Sequence, residues 1–362
     1  MIENKFLIIM AGGVGTRFWP ESRVSRPKQF LDMLGTGKSL LQLTFERFSP
    51  IFSIENIFVV TSERYFEMTA QTLPNLAPEN ILTEPVARNT APCIAYAASK
   101  IHALNPGAVI FVTPSDQFVA EETIIREIVL SAMDACEENP YIMTLGIKPS
   151  RPDTGYGYIQ FMEEKNSKNI FRKVKTFTEK PDPEIAKVFV ESGEFLWNSG
   201  MFCFSMNTIR KAFHKFLPDM FDLFESLRPS FGTKEEKKKT SEIYSRCLNV
   251  SIDYGIMEKA PNVYVIPANI TWSDLGTWGS SYDYFKDKDN KNNAVSGKVM
   301  LYDSSGNLVK ISDSTKLVVL QGMKDFVVVD TGDVLLICKK DKEQKVKDFV
   351  ADVRKNFGEK FV

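Results

Sequence analysis

A glycine-rich loop followed by two basic residues is the part of this sequence best suited to chemistry. Gly12, Gly13 and Gly15 directly follow an apolar run, Arg17 comes next, and Lys28 lies eleven residues after Arg17. Glycine permits positive φ angles and lets backbone N–H groups approach phosphate oxygens closely. With two cations attached, the loop predicts a polyphosphate-binding site. The alternative is that the glycines form an ordinary turn and that the basic side chains near it are merely solvated.

Single residues exclude two other nucleotide-binding motifs. A GxGxxG fingerprint would need glycine at position 18, which is Phe18, and a Walker A loop through residues 35–39 would need glycine at position 32, which is Asp32. No apolar strand precedes residues 35–39, so we interpret them as a loop before an amphipathic helix. A P-loop enzyme is therefore a weak alternative.

Composition and charge exclude several classes of protein. The chain has 362 residues, 43% of them hydrophobic, with 45 Lys+Arg against 46 Asp+Glu and a net charge of -1. The hydrophobic content excludes disorder, and the balance of charges argues against a protein that holds nucleic acid by bulk charge. The apolar run at residues 6–11 is much shorter than the roughly 20 residues of a membrane span. It is also shorter than the about 7 to 15 apolar residues of a signal peptide.

The cysteines and histidines limit the chemistry further. Five scattered cysteines without a CxxC pair are typical of free buried thiols in a reducing compartment. Two histidines leave zinc sites and histidine-dependent triads poorly supplied. We therefore expect a cytoplasmic protein with no membrane or nucleic-acid partner.

The order of apolar runs predicts an α/β fold. Runs typical of buried parallel strands lie at residues 6–10, 56–60, 109–113 and 142–147. Apolar residues at helical spacing between 125 and 136 predict a helix between the last two. The alternation predicts a doubly wound sheet that binds ligands beyond the carboxyl ends of its strands.

The pattern becomes mixed after the fourth of these runs. Residues 154–161 and 171–178 are interpreted as antiparallel strands, so the sheet is mixed, and a short helix is expected after Pro181. The charged run at 234–239 is interpreted as a solvated loop or helix face.

A polar stretch at residues 286–293 predicts a domain boundary, with one domain at 1–290 and a second at 291–362. Short strands separated by turns follow it, at residues 298–302, 308–311, 317–320, 326–329 and 334–338. A helix is then expected to begin with Asp341 as N-cap and Gln344 three residues later, with an apolar stripe through Val346, Val350 and Phe357. The tail is therefore interpreted as a small all-β module closed by a helix.

An ordered set of motifs resembles the sugar-1-phosphate nucleotidyltransferases. Residues 12–28, together with the glutamine that follows them, match the family motif GGxGTRxxPxSRxxxPKQ. The other matching motifs are EPVARNTAP (84–92), PSD (114–116), TGYGY (154–158), FTEKP (177–181), WNSGMF (197–202), SIDYGIMEK (251–259) and TWSDLGTW (271–278). They cover nearly the whole chain in the order of the family and are most similar to its mannose-1-phosphate guanylyltransferase (GDP-mannose pyrophosphorylase) branch.

The resemblance implies a fold, a reaction and partners. The fold would be a Rossmann-like catalytic domain with a short left-handed β-helix tail that helps to form a homodimer. The reaction would transfer GMP from GTP to mannose-1-phosphate with Mg²⁺, giving GDP-mannose and pyrophosphate. Because the chain ends at Val362, we expect no mannose-6-phosphate isomerase activity.

The resemblance also implies roles for single residues. Arg17 would hold the triphosphate and stabilise the leaving pyrophosphate, Lys28 would neutralise charge near the α-phosphate, and Lys180 would hold the sugar phosphate. The other candidates are the nucleotide contacts Gly12, Gly13, Gly15, Thr16, Glu84, Asn89 and Thr90, the sugar contacts Gly155, Tyr156, Glu179, Asn198 and Asp253, and the metal ligands Asp116 and Asp274. Gln117 stands where the family commonly has histidine, and Trp197 and Phe202 are expected in the core.

Elementary chemistry is compatible with these roles. A phosphate monoester has its second pKa near 6, so the attacking oxygen is anionic at neutral pH and no general base is needed. Two carboxylates from distant segments suit Mg²⁺, which also takes substrate phosphates and waters. Guanine presents two adjacent donors that one carboxylate can accept. The resemblance implies that the segment beginning with Glu84 faces the base, so Glu84 is predicted to read guanine.

Bland alternatives exist for the same residues. Either aspartate alone could cap a turn, Glu84 could cap the turn before Pro85, and Lys180 could be a surface lysine before a helix. Two functional alternatives remain. One is transfer to another sugar phosphate, such as a heptose phosphate, or from another nucleotide. The other is a non-catalytic regulatory homologue that binds nucleotide sugars.

Overall fold

The apolar runs of the first half become strands of one mixed sheet. The computed structural model describes residues 4–162 and 170–362. The strands of the described chain, which belong to this sheet and to three smaller ones, are β1 (Lys5–Ala11), β2 (Ile57–Ser62), β3 (Ile81–Glu84), β4 (Val109–Pro114), β5 (Phe118–Val119), β6 (Ile142–Ile147), β7 (Tyr158–Phe161), β8 (Arg172–Thr178), β9 (Phe195–Ser205), β10 (Val263–Ala268), β11 (Trp272–Ser273), β12 (Ala294–Ser296), β13 (Lys298–Tyr302), β14 (Leu308–Ile311), β15 (Leu317–Gln321), β16 (Phe326–Asp330) and β17 (Leu335–Lys339).

The helices follow the amphipathic stretches. They are α1 (Leu40–Phe48), α2 (Phe66–Thr72), α3 (Thr90–Leu104), α4 (Glu122–Glu138), α5 (Pro183–Ser192), α6 (Met206–Phe216), α7 (Pro218–Leu227), α8 (Glu236–Arg246), α9 (Trp278–Asp283) and α10 (Val346–Phe357). Short 3₁₀ helices at Thr16–Phe18 and Lys28–Phe30 and a π-helical turn at Asp253–Met257 matter for the site. Among the described residues, every helix is too short or too polar to span a bilayer.

The nine-stranded sheet has the order β3-β2-β1-β4-β9-β6-β10-β8-β7. Strands β1, β2, β3 and β4 are parallel, with Leu7 beside Ile57 and Ile8 beside Val112, and β9 runs antiparallel to both β4 and β6. Neighbouring side chains of β1 point to opposite faces, and both sets are buried, as in a sheet covered on both sides. The predicted mixed, doubly wound α/β fold is confirmed.

Contacts divide the chain into two units that interleave along the sequence. Unit 1 contains the nine-stranded sheet and comprises the residues up to Gly12, Thr44–Ser115 and Val119–Trp272. Unit 2 comprises Gly13–Leu43, Asp116–Phe118 and Ser273–Val362. The boundary between residues 290 and 291 stays a prediction.

The C-terminal strands form a repeating coil within unit 2. Strand β14 pairs in parallel with β12 and with β16, and β15 pairs in parallel with β13. Two stacks of parallel strands from successive turns of chain are the arrangement expected of a β-helix-like module. The last strand, β17, closes the larger stack in antiparallel orientation.

Two local predictions are wrong. Residues 154–157 form a turn, since Gly155 N–H donates to Asp153 Oδ1 at 2.9 Å, and the strand begins only at Tyr158. The last helix begins at Val346 and has no side-chain cap, while Asp341 lies inside a 3₁₀ helix. There the Glu343 carboxylate accepts the backbone N–H of Gly279 at 2.5 Å, and this distant contact prevails over the local capping pattern.

Other predictions are confirmed. Strands β6, β13 and β14 have the predicted bounds, and α4 covers the predicted helical stripe. All five cysteines are buried and free. Trp197 and Phe202 lie in the core, at 3% and 1% exposure.

Candidate active site

The glycine loop is shaped by Lys28. Gly15 has φ 75°, and a Cβ added to it would lie 2.5 Å from Cβ of Lys28. The backbone N–H of Lys28 donates to Val14 O at 3.0 Å. Glycine is required at position 15 because the backbone is left-handed and another part of the chain approaches too closely for a side chain.

Lys28 brings both predicted metal ligands together. It is 5% exposed, and its Nζ lies 2.8 Å from Asp116 Oδ2 and 2.7 Å from the backbone oxygen of Asp274. Its ammonium also lies 5.5 Å from the centre of the Phe18 ring. All four residues belong to unit 2. A buried ammonium beside a carboxylate is strongly held, because losing either partner would leave the other charge uncompensated.

Asp274 sits in a tight, strained turn. Its Oδ1 accepts the backbone N–H of Gly276 at 2.9 Å, and the intervening Leu275 has φ 45°, which is costly for a branched residue. A Cβ at Gly276 would lie 2.7 Å from Asp274 Oδ2. Helix α9 then begins with Thr277 and Ser280 in a capping box. These contacts fix the direction of the Asp274 carboxylate.

The donor set fits a divalent cation that keeps other ligands. Asp116 and Asp274 supply hard carboxylate oxygens, and the Asp116 side chain is 34% exposed. The described residues contain no group of three or more His, Cys, Asp or Glu able to enclose a metal. Two carboxylates with open positions suit Mg²⁺ bound partly by phosphates and water.

Arg17 and Thr16 are exposed on the 3₁₀ helix that follows Gly15. Within the described ranges, no residue pairs with the Arg17 guanidinium. Gly13 is exposed as well, and among the described residues no atom beyond its two chain neighbours lies within 4 Å of a Cβ placed on it. This face of the loop is therefore accessible to an anion.

Glu84 forms a buried acceptor at the end of β3. It is 6% exposed, and its Oε1 accepts the hydroxyl of Tyr244 at 3.0 Å. Burial raises the pKa of Glu84 to about 7, and the Tyr244 hydrogen bond limits the rise. Oε2 lies 3.5 Å from where a Cβ of Gly12 would stand. One oxygen is thus committed to Tyr244, and glycine leaves space beside the other.

Asn89 and Thr90 start helix α3. Asn89 has φ 70°, is exposed, and caps the helix, since its Oδ1 accepts Thr90 N–H at 2.9 Å. The Thr90 hydroxyl accepts the backbone N–H of Ile252 at 2.9 Å. This bond ties the segment after Glu84 to the π-helical turn that begins at Asp253.

Four predicted residues form a polar cluster in unit 1. Asn198 Nδ2 donates to Asp253 Oδ1 at 2.9 Å, and Lys180 Nζ lies 2.7 Å from Glu179 Oε1. Burial, and then the Glu179 carboxylate, raise the pKa of Asp253 to about 6. Lys180 has φ 48° and a side chain that is 62% exposed. The negative charge of Glu179 is therefore felt at Asp253, so the two carboxylates belong to one cluster.

Close backbone approach also shapes this cluster. A Cβ at Gly157 would collide with Oε2 of Glu179, and Gly157 O accepts the Asn198 N–H at 2.8 Å. Tyr156 is 7% exposed and packs edge-on against Trp197 and Trp272, with ring centres 4.9 and 5.2 Å away. Gly155 is exposed in the turn before it.

Sequence reasoning missed three supporting residues. Tyr244 holds Glu84, and the Thr144 hydroxyl donates to Asn198 Oδ1 at 3.1 Å. The Arg151 guanidinium lies 5.4 Å from the centre of the Trp197 ring. Arg151 stands three residues before the TGYGY motif, which was its one available signal; Tyr244 and Thr144 lie outside every motif.

A cavity of about 590 Å³ in unit 1 contains none of the predicted residues. Phe66, Tyr96, Lys100 and Glu236 are among its lining residues. Two of its charged lining residues pair with each other, because Lys100 Nζ lies 3.1 Å from Glu236 Oε1. It is not the candidate site.

Two family models match the chain. Residues 7–291 match the model described as Nucleotidyl transferase, and residues 297–353 match the model described as MannoseP isomerase/GMP-like beta-helix domain.

Known proteins are similar over nearly the whole chain. The xanthan biosynthesis protein XanB of Xanthomonas campestris is 36% identical over 96% of this chain and 73% of its own length. A mannose-1-phosphate guanylyltransferase of Klebsiella pneumoniae is 33% identical over 96% of this chain and 74% of its own length. A crystal structure from Thermus thermophilus, described as a mannose-1-phosphate geranyltransferase, is 31% identical, covers 97% of this chain and 99% of its own, and has a TM-score of 0.85.

Proposed function

This chain belongs to the nucleotidyl transferase family, among the mannose-1-phosphate guanylyltransferases, and we propose that it transfers GMP from GTP to mannose-1-phosphate. An anionic phosphate oxygen of the sugar phosphate attacks the α-phosphorus of GTP, and pyrophosphate leaves. The attacking oxygen carries its charge at neutral pH, so catalysis consists of positioning and charge neutralisation.

The cluster around Lys28 is the observation that carries this proposal. Residues from three distant segments meet there, because the Lys28 ammonium contacts the carboxylate of Asp116 and the backbone oxygen of Asp274. A buried cation beside two predicted metal ligands suits a reaction that moves negative charge between phosphate oxygens. Lys28 neutralises charge near the α-phosphate, and Arg17 holds the triphosphate and the leaving pyrophosphate. We also propose that the backbone N–H groups of Gly13, Gly15 and Thr16 donate to phosphate oxygens.

A divalent cation belongs to the chemistry of this family, and we propose Mg²⁺ for this chain. Asp116 and Asp274 would hold it, and when bound it polarises phosphoryl oxygens. The hydrogen bond from Gly276 and the strained turn keep the Asp274 carboxylate oriented before substrate arrives.

The buried carboxylate of Glu84 is proposed to read guanine. An ionised carboxylate accepts both the N1–H and the N2–H₂ of guanine, and burial makes those bonds strong. Adenine presents an acceptor where guanine has N1–H, so it would leave Glu84 unsatisfied. Gly12 leaves space at Oε2, and Asn89 and Thr90 support the segment that follows Glu84.

The polar cluster in unit 1 is proposed to hold the sugar phosphate. Lys180 supplies an exposed ammonium for the phosphate, and the carboxylates of Glu179 and Asp253 accept sugar hydroxyls. Asn198, Gly155 and Tyr156 complete the sugar contacts. The bond between Asn198 and Asp253 holds both side chains in one orientation.

Pyrophosphate release tests the reaction. The purified protein is incubated with Mg²⁺ and with GTP, ATP, UTP, CTP or dTTP, each crossed with mannose-, glucose- and heptose-1-phosphates. We expect turnover with GTP and mannose-1-phosphate. Turnover with another pair would contradict the base or the sugar assignment, and binding of GDP-mannose without any turnover would indicate a regulatory homologue.

A single substitution tests the base assignment. Glu84→Gln places an amide where both guanine donors need an acceptor, so GTP should lose most of its advantage, out of a possible discrimination of about 10⁴. Glu79→Gln is a matched control, because Glu79 lies two residues before β3 and is exposed. An unchanged preference for GTP in Glu84→Gln would contradict the assignment.

We also propose a cytoplasmic homodimer. The five free, buried cysteines suit a reducing compartment. The β13–β15 sheet exposes apolar side chains that a second copy would cover, with Met300 at 45% and Val319 at 56% exposure. Sedimentation at several concentrations measures the mass, and a monomer at all of them would contradict the dimer.

A further inference from the structure

Half of the N-terminal motif has no role in the proposed reaction. Arg17 and Lys28 are assigned to phosphates, but the intervening Trp19, Glu21 and Arg23 are not. We name residues 18–23 the anchor segment. All of its residues belong to unit 2, as does the C-terminal β module.

Arg23 makes a bidentate ion pair with the β module. Its two terminal nitrogens lie 2.7 Å from the two carboxylate oxygens of Asp333, and the Thr331 hydroxyl accepts from it at 2.9 Å. The Arg23 side chain is 14% exposed, and its Nε donates to Pro20 O at 2.8 Å. A planar, doubly bonded guanidinium fixes direction as well as distance.

A second ion pair repeats this arrangement. Lys310 Nζ lies 2.7 Å from Glu21 Oε2, and the Glu21 side chain is 8% exposed. The same ammonium donates to the backbone oxygen of Asp32 at 2.7 Å. Lys310 therefore holds both the anchor segment and the chain that follows Lys28.

Two tryptophan side chains add further contacts to the anchor segment. Trp19 Nε1 donates to Phe361 O at 2.6 Å, near the end of the chain, and Trp278 Nε1 donates to Trp19 O at 3.3 Å. The rings of Phe18 and Trp278 meet edge-on with centres 5.1 Å apart. Trp278 is the first residue of α9, which follows the Asp274 turn directly.

The anchor segment is hydrogen-bonded directly to the glycine loop. Ser22 is buried and its hydroxyl donates to Val14 O, the same oxygen that accepts the backbone N–H of Lys28. A shift of Arg23 would therefore move Val14, and with it Gly15 and Lys28. Charge neutralisation at a phosphoryl group depends steeply on such distances.

We propose that the C-terminal β module positions the glycine loop, with Arg23–Asp333 and Glu21–Lys310 as the two ion pairs through which it acts. Arg23, Glu21, Asp333 and Lys310 are positioning residues that do not touch substrate. The inference rests on the proposed function for its kinetic consequence, but the contact itself is a property of the fold.

The Arg23–Asp333 pair stays ionised over the whole useful pH range. The hydrogen bond from Arg23 is the main reason why the pKa of Asp333 falls to about 2. The hydroxyl of Thr331 also donates to Asp333 Oδ1 at 3.0 Å. Neutral substitution is therefore the way to break the pair.

Three variants of the full chain test the proposal. Asp333→Asn removes the charge and one acceptor, Asp333→Glu keeps a carboxylate, and Asp325→Asn is the matched control. Asp325 lies on the same module and pairs with Lys340 at 3.5 Å rather than with the anchor segment, and its φ of 59° suits asparagine. Each variant is compared in thermal unfolding, steady-state kinetics and tryptic cleavage.

We expect Asp333→Asn to lower kcat by about tenfold, which is about 1.4 kcal/mol of transition-state stabilisation. The KM for mannose-1-phosphate should stay unchanged, because Lys180 and Asp253 are not held by this pair. Asp333→Glu should recover most of the rate, and Asp325→Asn should match the wild type. A merely structural role would instead lower the folded fraction and leave kcat per folded molecule unchanged.

Tryptic cleavage separates this proposal from the proposed reaction. We expect trypsin to cut Asp333→Asn faster at Arg17, Arg23 or Lys28 than the wild type or Asp325→Asn, as mapped by mass spectrometry. A wild type without transferase activity but with this cleavage pattern would refute the reaction and support the positioning role. Equal cleavage and equal kcat in Asp333→Asn and wild type would overturn the positioning role.

Discussion

The hydroxyl of Tyr244 donates to Oε1 of Glu84 across 3.0 Å, and both side chains are buried. The two residues are 160 positions apart in sequence. Burial raises the pKa of Glu84 to about 7 despite this hydrogen bond, so the charge of the carboxylate changes with pH around neutrality. Nucleotide binding and stability should both respond to that change.

GTP affinity should increase with pH through neutrality. The guanine donors require ionised Glu84, and with a pKa of about 7 the ionised fraction rises about tenfold between pH 6 and pH 8. Calorimetric titration with GTP should show a gain in affinity of about that size. In Glu84→Gln this part of the gain should vanish, while any effect of the phosphate ionisation of GTP remains.

Tyr244→Phe should change the pKa of Glu84 while keeping its carboxylate. The hydrogen bond favours the ionised carboxylate, so its loss should raise the pKa of Glu84 and move the midpoint of the affinity curve to higher pH. A midpoint that stays in place would show that Tyr244 does not tune this carboxylate.

Glu84 should cost stability at high pH. Its pKa is higher in the folded state, about 7 against an ordinary 4.5, so the folded state retains the proton longer. There is no cost below pH 4.5, the cost grows as pH rises, and it levels off above pH 7 at about 3 kcal/mol at most. Glu84→Gln is neutral at every pH and should gain several degrees in Tm relative to wild type between about pH 5 and pH 8. A constant difference in Tm would contradict the raised pKa.

Gly15→Ala should impair the phosphate loop more than its backbone angle alone explains. Gly37 has φ 79°, and in the described part of the chain only its own neighbours in sequence lie within 4 Å of an added Cβ. Gly37→Ala therefore measures the cost of the backbone angle alone, about 1 kcal/mol. At Gly15 the added methyl group also collides with Lys28. We expect kcat to fall at least about tenfold further in Gly15→Ala than in Gly37→Ala. Equal effects would show that the approach of Lys28 is unimportant.

Asp274→Asn should strongly reduce metal-dependent turnover and leave the contact of Lys28 with residue 274 in place. The ammonium of Lys28 contacts the backbone oxygen of Asp274, which the substitution keeps. The lost carboxylate should lower kcat by roughly 10²-fold or more and raise the Mg²⁺ concentration needed for half activity. Asp303→Asn, at an exposed aspartate of the same unit, is the control. Activity of Asp274→Asn that responds to Mg²⁺ as the wild type does would remove Asp274 from the metal site.

Mannose-1-phosphate binding should weaken in acid through Asp253. Its pKa of about 6 makes the ionised fraction fall about tenfold from pH 7 to pH 5. The KM for the sugar phosphate should rise accordingly, and Asp253→Asn should lose that component while the ionisation of the phosphate itself remains. Glu258→Gln is the control, since burial and Glu179 raise the pKa of Glu258 too. An identical pH profile in Asp253→Asn would contradict its sugar role.

The sequence determined the local elements and the type of chemistry. Apolar runs of five or six residues indicate buried strands wherever they occur, which is why β1, β4 and β6 were predictable. Glycine, arginine and lysine in a fixed spacing indicate phosphate binding because those properties are intrinsic to the residues. The order of the motifs along the chain indicates the family for the same reason, since it needs no knowledge of which residues meet.

The tertiary structure decided which residues meet. Lys28 reaches Asp116 and Asp274 across 88 and 246 positions, and Arg23 reaches Asp333 across 310. Such contacts depend on strand order and burial of the whole chain, whereas periodicity and propensity act over a few residues. The same reason explains the start of the last helix, where a contact of Glu343 with Gly279 prevailed over the capping pattern at Asp341.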